Sequence, residues 1–96
     1  MFARIATYRG IMEDQLEGFL PKLQKMTERE VAGLEEILVV LDRQTGTAQS
    51  ILFFDTDESM RAASKQLENA IPMTEAGGVR TDIEHYEVLL RERPGA

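Results

Sequence analysis

The stretch that decides the fold is Ile-Leu-Val-Val-Leu-Asp-Arg-Gln-Thr-Gly-Thr-Ala-Gln-Ser-Ile-Leu-Phe-Phe, residues 37–54. Two apolar runs, 37–41 and 51–54, flank a polar segment in which Gly46 can adopt the positive φ of a tight turn. This pattern predicts a β-hairpin, in which the second strand of the chain spans Ile37–Leu41 and the third spans Ser50–Asp55.

A strand and a helix are predicted before this hairpin. Residues Phe2–Tyr8 are rich in β-forming side chains and predict a first strand. Apolar residues spaced three or four apart then predict a helix over Met12–Arg29. Pro21 lies inside that helix and removes a backbone hydrogen bond, so we expect either a kink near Glu17–Pro21 or two short helices that meet there.

A second helix and a last strand are predicted after the hairpin. Thr56 or Asp55 can cap the free amides of the helix, and Asp55 and Glu58 have the spacing of a capping box. The residues predicted to face inward are Met60, Ala63, Leu67, Ala70 and Ile71. Pro72 ends this pattern, and a fourth strand is predicted over Val79–Leu90.

The order of these elements, βαββαβ, predicts an α+β protein of the ferredoxin-like class. Right-handed crossovers give an antiparallel sheet of four strands in the order 4-1-3-2, with both helices on one face. We expect one domain over residues 1–91 and a polar C-terminal tail over residues 92–96.

The two hairpin strands also predict an assembly. Their apolar runs put apolar side chains on both faces of the sheet, whereas two helices from a chain of 96 residues can cover only one face. We therefore expect a homodimer in which the open sheet faces pack together around a two-fold axis. The alternative is a monomer whose open face is shielded by the tail or by residues 72–78.

Composition excludes several classes of function. The net charge of −6 argues against nucleic acid as a partner, and the absence of cysteine excludes disulfides, thiolate metal sites and iron–sulfur clusters. No apolar run is long enough to span a membrane, so we expect a cytoplasmic protein. With a single histidine, the chain is also expected to use no metal and no cofactor.

Three side chains are candidates for chemistry. His85 can act as a general base near neutral pH, and Tyr86 can donate its phenol proton, although either could be an exposed residue at the sheet boundary. Arg4 lies on a central strand, where a cation must reach the rim, pair with an acid or meet an anionic ligand. The acids available as structural partners are Glu36, Asp42 and Glu84.

The cleft between the first helix and the sheet is the predicted ligand pocket, because a kink at Pro21 would lift part of the helix off the strands. The residues predicted to bind the ligand are Phe54, Ser50, Tyr8, Phe19 and Leu23. The alternative is a filled core without a cavity.

Several segments together carry a family resemblance. They are Phe2–Tyr8, Leu20–Pro21, Gly33–Gly46, Phe54–Ala63 and Glu84–Val88. The chain resembles the antibiotic biosynthesis monooxygenase-like branch of the dimeric α/β-barrel superfamily. The resemblance implies a homodimer joined through the sheets. Members of the branch include quinol-type monooxygenases that use O₂ without metal or flavin, haem-degrading enzymes and aromatic polyketide cyclases.

The resemblance carries over to few individual residues. Phe54 matches a position that often holds a pocket-facing Trp, whereas Asn69 does not match the pocket Asn, to which Ser50 and Ala6 are nearer. Haem degradation implies a histidine on a helix, and His85 is on a strand. The resemblance therefore favours a homodimer that binds a small aromatic or quinone-like molecule, with cofactor-independent monooxygenation as its candidate activity. The alternative is a non-catalytic dimerisation or small-molecule-sensing module.

Overall fold

Four strands and two helices alternate along the chain in the predicted βαββαβ order. The computed structural model describes residues 1–67 and 77–95, with the side chains of residues 26–30 outside that description. The elements are β1 (Phe2–Arg9), α1 (Glu13–Glu30), β2 (Leu34–Asp42), β3 (Thr47–Phe54), α2 (Asp57–Leu67) and β4 (Val79–Glu87). The strands form an antiparallel sheet in the order β2-β3-β1-β4, so the predicted ferredoxin-like α+β class and strand order are confirmed.

Both helices pack on the same face of this sheet, which we call the helix face. The even-numbered side chains of β1 and β3 lie on the helix face. Arg4 pairs with Leu52 and Tyr8 pairs with Ala48, and the side chains of directly paired residues point to the same face of a sheet. The core under α1 consists of Ala6, Tyr8, Ala48, Leu16, Phe19 and Leu23 with Ile11 at its margin. The core under α2 consists of Leu52, Phe54, Met60, Ala63 and Val31. Each helix therefore covers one half of the sheet.

The opposite face, the open face, is uncovered within the protomer and largely apolar. Leu38 and Val40 of β2 are 44% and 45% exposed, respectively, although both lie in the middle of a strand. Ile51 and Phe53 of β3 are half-buried beside them. A protomer in water thus exposes a continuous apolar strip at the hairpin.

The segment that follows β4 covers one corner of the open face. The Arg91 guanidinium stacks 4.9 Å from the centre of the Phe53 ring and forms an ion pair with Glu36. Leu38 and Val40 nevertheless stay exposed. In the predicted alternative, the C-terminal end of the chain shields the open face. It shields Phe53, but it leaves Leu38 and Val40 of β2 exposed to solvent.

α1 runs without interruption from Glu13 to Glu30 with Pro21 inside it, so the prediction of two short helices is wrong. The physical reason is the apolar stripe, because Leu16 and Phe19 before the proline and Leu23 after it are all buried against the same sheet. This packing outweighs the one backbone hydrogen bond that Pro21 removes.

The N-terminus of α2 is capped by Thr56. Its hydroxyl accepts a hydrogen bond from the backbone N–H of Ser59 at 3.0 Å, so Thr56, one of the two predicted caps, is confirmed, and the capping box predicted for Asp55 and Glu58 is wrong. The predicted core residues Ala70 and Ile71, Asn69 and the helix-ending Pro72 lie outside the described residues.

The ends of all four strands differ from the prediction by one to three residues, and β2 and β4 show the physical reasons. β2 begins at Leu34, which pairs with Phe54, rather than at the predicted Ile37. This extension could not be predicted, because Glu35 and Glu36, which follow Leu34, give no apolar signal in the sequence. β4 ends at Glu87, and Leu89 and Leu90 beyond it are 88% and 75% exposed, respectively. No described helix has both the length and the hydropathy that a membrane span requires.

A β-bulge interrupts β4 near its start. Thr7 pairs with Asp82, but the next residue of β1, Tyr8, pairs with Arg80, so Thr81 has no opposite partner. The Thr81 hydroxyl donates to the Thr7 carbonyl at 3.5 Å or to the Asp82 carboxylate at 3.0 Å. The bulge brings Arg80 onto the helix face, beside Tyr8.

Candidate functional site

Arg4 is a buried cation on the central strand of the sheet. It is 3% exposed, its Nε–H donates to the Ser64 hydroxyl of α2 at 3.2 Å, and its Nη2 group is buried without a hydrogen-bond partner among the described residues. Burial lowers the pKa of Arg4, as does nearby Arg80, while Tyr8 has the opposite influence. The guanidinium therefore lies in a site that disfavours its charge.

None of the acids proposed as partners reaches Arg4. Glu36 pairs with Arg91, Asp42 accepts from the backbone N–H of Gln44, and Glu84 accepts from Tyr86. These acids belong to the open face or to the hairpin turn, whereas Arg4 faces the helices. The predicted acid pairing is wrong, and burial also excludes a position at the rim.

His85 lies directly beside Arg4, because the two residues are paired across β1 and β4. Its Nε2 is 2.9 Å from the Ser64 Oγ atom. Partial burial and the cations Arg4 and Arg61 lower the pKa of His85, and Asp57 opposes them. Since Arg4 donates to Ser64, the Ser64 hydroxyl proton is available for Nε2 of a neutral His85. Arg4, Ser64 and His85 thus form one hydrogen-bonded chain.

Sequence reasoning missed Ser64. It lies on α2 four residues after Met60 and next to Ala63, both of which are buried in the core. A polar side chain next to the apolar stripe of a helix needs a hydrogen-bond partner where it is buried. The position of Ser64 directly after Ala63 could therefore have indicated that Ser64 contacts another polar residue.

Tyr86 is separated from this chain by the sheet. It lies on the open face, 47% exposed, and its hydroxyl donates to Glu84, a hydrogen bond that raises the pKa of Tyr86. The structure therefore brings together two of the three predicted catalytic residues, Arg4 and His85, and leaves Tyr86 on the opposite side.

Most of the residues predicted to bind a ligand are core residues. Phe54, Ser50, Tyr8 and Phe19 are at most 7% exposed. The Tyr8 hydroxyl is hydrogen-bonded to Ser50 and Arg80, and burial raises the pKa of Tyr8 although these contacts and the nearby cations lower it. Leu23 alone of the five lines one of the grooves described next.

Two grooves open between the helices and the sheet. One, of about 560 Å³, separates the C-terminal half of α1 from β2 and is lined by Leu20, Leu23, Val31, Glu35, Ile37 and Val39. The other, of about 650 Å³, separates α2 from β4 and is lined by Glu58, Arg61, Ser64, Lys65, Ile83 and His85. Both have the volume of a small-molecule site, which is typically about 300 Å³ or more. A groove is present at α1, as predicted, and a second groove, lined by more charged side chains, lies at α2.

The described residues offer no cluster for a metal ion. Within residues 1–67 and 77–95, no three His, Asp or Glu side chains gather as a set of ligands. Hydrogen-bonding and charged groups are therefore what these grooves present to a ligand.

Comparisons with known proteins relate the chain to others by its fold. No protein-family model matches the sequence, and no curated relative matches it. A "putative antibiotic biosynthesis monooxygenase" from Deinococcus radiodurans shares 18% identity over 100% of both chains, with a TM-score of 0.67. A dimeric ferredoxin-like protein from an uncultured marine organism shares 15% identity over 96% of this chain and 97% of its own, with a TM-score of 0.61.

A third solved structure contains a bound metalloporphyrin. It is a MhuD variant with two manganese protoporphyrin IX molecules bound per active site, 11% identical over 97% of this chain and 99% of its own, with a TM-score of 0.59. At these identities the comparisons establish the fold, which is the ferredoxin-like fold of structures described as antibiotic biosynthesis monooxygenases. The resemblance stated from the sequence is confirmed at that level.

The residues of this chain do not fit a haem. The single histidine of the sequence, His85, lies on β4, and its Nε2 is hydrogen-bonded to Ser64. With no other imidazole and no cysteine, the chain lacks a side chain in α1 or α2 of the kinds that usually ligate haem iron through nitrogen or thiolate.

Proposed function

We propose that this chain acts as a cytoplasmic homodimer, joined through the open faces of its two sheets, and that each protomer binds a small aromatic or quinone-like molecule between its helices and its sheet. One observation carries the proposal: the helices cover one face of the sheet and leave grooves there, while the other face stays apolar and uncovered.

The open face has the chemistry of a self-association surface. Leu38 and Val40 form its exposed apolar strip. Polar side chains on this face pair with one another, as Gln49 does with Thr7 at 3.3 Å and Tyr86 with Glu84. Two copies related by a two-fold axis would cover each other's apolar strip. A structural neighbour described as dimeric supports this assembly.

The α1–β2 groove suits a small molecule that combines an apolar ring with polar groups. Leucine, isoleucine and valine side chains form most of its lining, and Gln24, Glu35 and Glu36 are its polar residues. Its volume of about 560 Å³ matches that of sites for small organic ligands, which combine an apolar wall with a few polar groups. These features favour ligand binding over a module whose only function is dimerisation.

Cofactor-independent oxygenation is a second candidate function. The observation that favours it is the hydrogen-bonded chain of Arg4, Ser64 and His85, in which burial and the cations Arg4 and Arg61 lower the pKa of His85, with Asp57 opposing. Ser64 can accept the proton of a phenol or enol as its own hydroxyl proton passes to His85 Nε2, and Arg4 can stabilise the oxyanion that remains. For anthrone as a probe substrate, the overall reaction with O₂ forms anthraquinone and one water molecule.

Two measurements test the assembly and the binding. Sedimentation velocity of the full chain at micromolar concentration is expected to give twice the protomer mass of 10.8 kDa, and a stable monomer would contradict the dimer. Titration with 2-methyl-1,4-naphthoquinone, followed by amide NMR, is expected to shift the resonances of Leu23 and Ile37. Unchanged spectra up to millimolar quinone would contradict binding in this groove.

An oxygen-electrode assay with anthrone tests the second function. Because His85 and Tyr86 lie on opposite faces, His85→Ala is expected to lower the rate of oxygen consumption at least about tenfold, as loss of a general base does, while Tyr86→Phe leaves it unchanged. A rate equal to that of anthrone without protein would favour the non-catalytic sensing module.

A further inference from the structure

The unpartnered edge of Arg4 is the feature that the proposed function leaves unexplained. A buried cation normally pairs with an acid, since removing an ion from water without a counter-charge costs several kcal/mol. Arg4 is 3% exposed, its contact with Ser64 is to a neutral hydroxyl, and its Nη2 donor has no partner among the described residues. The described residues around Arg4 therefore neither neutralise its positive charge nor accept a hydrogen bond from its Nη2 group.

The direction of the free donor follows from the geometry of the guanidinium. Nε–H and one N–H of Nη2 point in parallel from the same edge, which is the edge that binds a carboxylate with two hydrogen bonds. In this structure the Nε half of that edge donates to Ser64 on α2. The Nη2 half therefore also points toward α2, and Arg4 is buried directly behind Ser64 and His85, which line the α2–β4 groove.

The side chains around this edge are mainly cationic or neutral. Arg61 and Lys65 of α2 line the groove with His85, although Arg61 is paired with Asp57 at 2.8 Å and Glu58 also contributes an acid. Arg80 lies near enough to Arg4 to lower its pKa. This concentration of positive charge occurs in a chain whose net charge is −6, so it marks one surface of the molecule as distinct.

We propose that the α2–β4 groove binds a small aromatic carboxylate, with one carboxylate oxygen accepting from Arg4 Nη2 and the other replacing His85 Nε2 as the acceptor of the Ser64 hydroxyl. The inference rests on the small-molecule function proposed above and names the class of ligand and a second groove for it. Apolar contact for the ring comes from Ile83 and from Ala62 of α2.

The test compares a carboxylate with its neutral amide. Isothermal titration of the full chain with 2-naphthoate is expected to give a dissociation constant at least about tenfold lower than titration with 2-naphthamide, because only the carboxylate compensates the buried charge. Arg4→Met is expected to remove that preference. The matched control is Arg43→Met, which deletes an exposed, already paired arginine outside the groove and is expected to change binding less than about threefold.

A direct spectroscopic readout accompanies the titration. The Nε–H resonance of Arg4 in ¹⁵N-labelled wild-type protein is expected to shift with 2-naphthoate and to stay unchanged with 2-naphthamide. This comparison needs no variant, so it tests the proposal even if Arg4→Met does not fold.

The outcomes separate this inference from the proposed function. Equal affinity for the acid and the amide, or an equal loss of 2-naphthoate binding in both arginine variants, would overturn the assignment to Arg4 while leaving small-molecule binding intact. If neither naphthalene compound nor 2-methyl-1,4-naphthoquinone binds, both the inference and the proposed ligand function are wrong.

Discussion

His85 and Tyr86 are consecutive residues of β4 that serve opposite faces of the sheet. The imidazole of His85 is hydrogen-bonded to Ser64 under α2, whereas the Tyr86 hydroxyl donates to Glu84 on the open face. Any effect of His85 on folding or ligand binding is therefore exerted on the helix face, and any effect of Tyr86 on the open face, where a second protomer is proposed to bind.

The environment of His85 predicts a pH dependence of stability. Its pKa is lowered in the folded protein by burial, Arg4 and Arg61, with Asp57 opposing, so the unfolded chain, whose histidine has a pKa near 6.5, binds the proton more readily. The contribution of His85 to stability is fully present above that pH and is lost as the pH falls through it toward the lower folded pKa.

We expect His85→Gln to lose less stability than the wild type between about pH 7.5 and about pH 5.5. Urea denaturation at several pH values measures this difference. Parallel pH profiles for the two proteins would show that His85 does not titrate differently in the folded and unfolded states.

Replacing Arg4 by methionine is expected to stabilise the protomer. The substitution removes a buried cation whose Nη2 is unpartnered and fills the space with an apolar side chain, a change worth about 1–3 kcal/mol in the free energy of unfolding. Chemical denaturation of Arg4→Met beside Arg4→Lys, which keeps the charge, measures the effect. A methionine variant less stable than the wild type would mean that the Ser64 contact outweighs the buried charge.

The open face predicts the effect of a single charge on assembly. Leu38→Glu introduces a carboxylate into the centre of the exposed apolar strip and is expected to weaken the dimer by about 100-fold or more. The matched control is Met12→Glu, because Met12 is also exposed, at 56%, but lies before α1 rather than on the sheet. Sedimentation of both variants at one concentration checks the prediction, and dimers of equal strength would argue against this face.

Two glycines give a matched pair for backbone effects. Gly33 has a φ of +79°, and a Cβ atom there would lie 2.6 Å from the Ser59 Oγ atom, so Gly33→Ala is expected to cost about 1–3 kcal/mol. Gly18 lies inside α1 with no atom within 4 Å of the Cβ position, so Gly18→Ala is expected to gain about 0.5–1 kcal/mol. Thermal denaturation of the two variants should show shifts in opposite directions.

The fold was predictable because its signals are local. The apolar runs of residues 37–41 and 51–54, with Gly46 between them at a φ of +70°, specify a hairpin without reference to the rest of the chain. The spacing of Leu16, Phe19 and Leu23 likewise identifies the buried stripe of α1. Handedness of the crossovers then determines the order of the strands.

The candidate site was only partly predictable because its contacts are distant in sequence. Arg4 and His85 were singled out by residue type, but Ser64, which joins them, is 60 residues from Arg4 and 21 from His85. The face of β4 that carries His85 depends on register, and in a strand a shift by one residue exchanges the two faces. Only the pairing of Arg4 with His85 resolves which of His85 and Tyr86 faces the helices.

The bulge at Thr81 affects how the strand tolerates changes in length. Because Thr7 pairs with Asp82 and Tyr8 with Arg80, removing Thr81 would join two segments that already have matching registers. Elsewhere in β4, deleting one residue would move every side chain on one side of the deletion to the opposite face of the sheet. Buried side chains in that part of the strand would then face solvent. Homologous chains one residue shorter at this point can therefore keep Arg80 and His85 on the same face, and sequence alignments of β4 should allow a gap there.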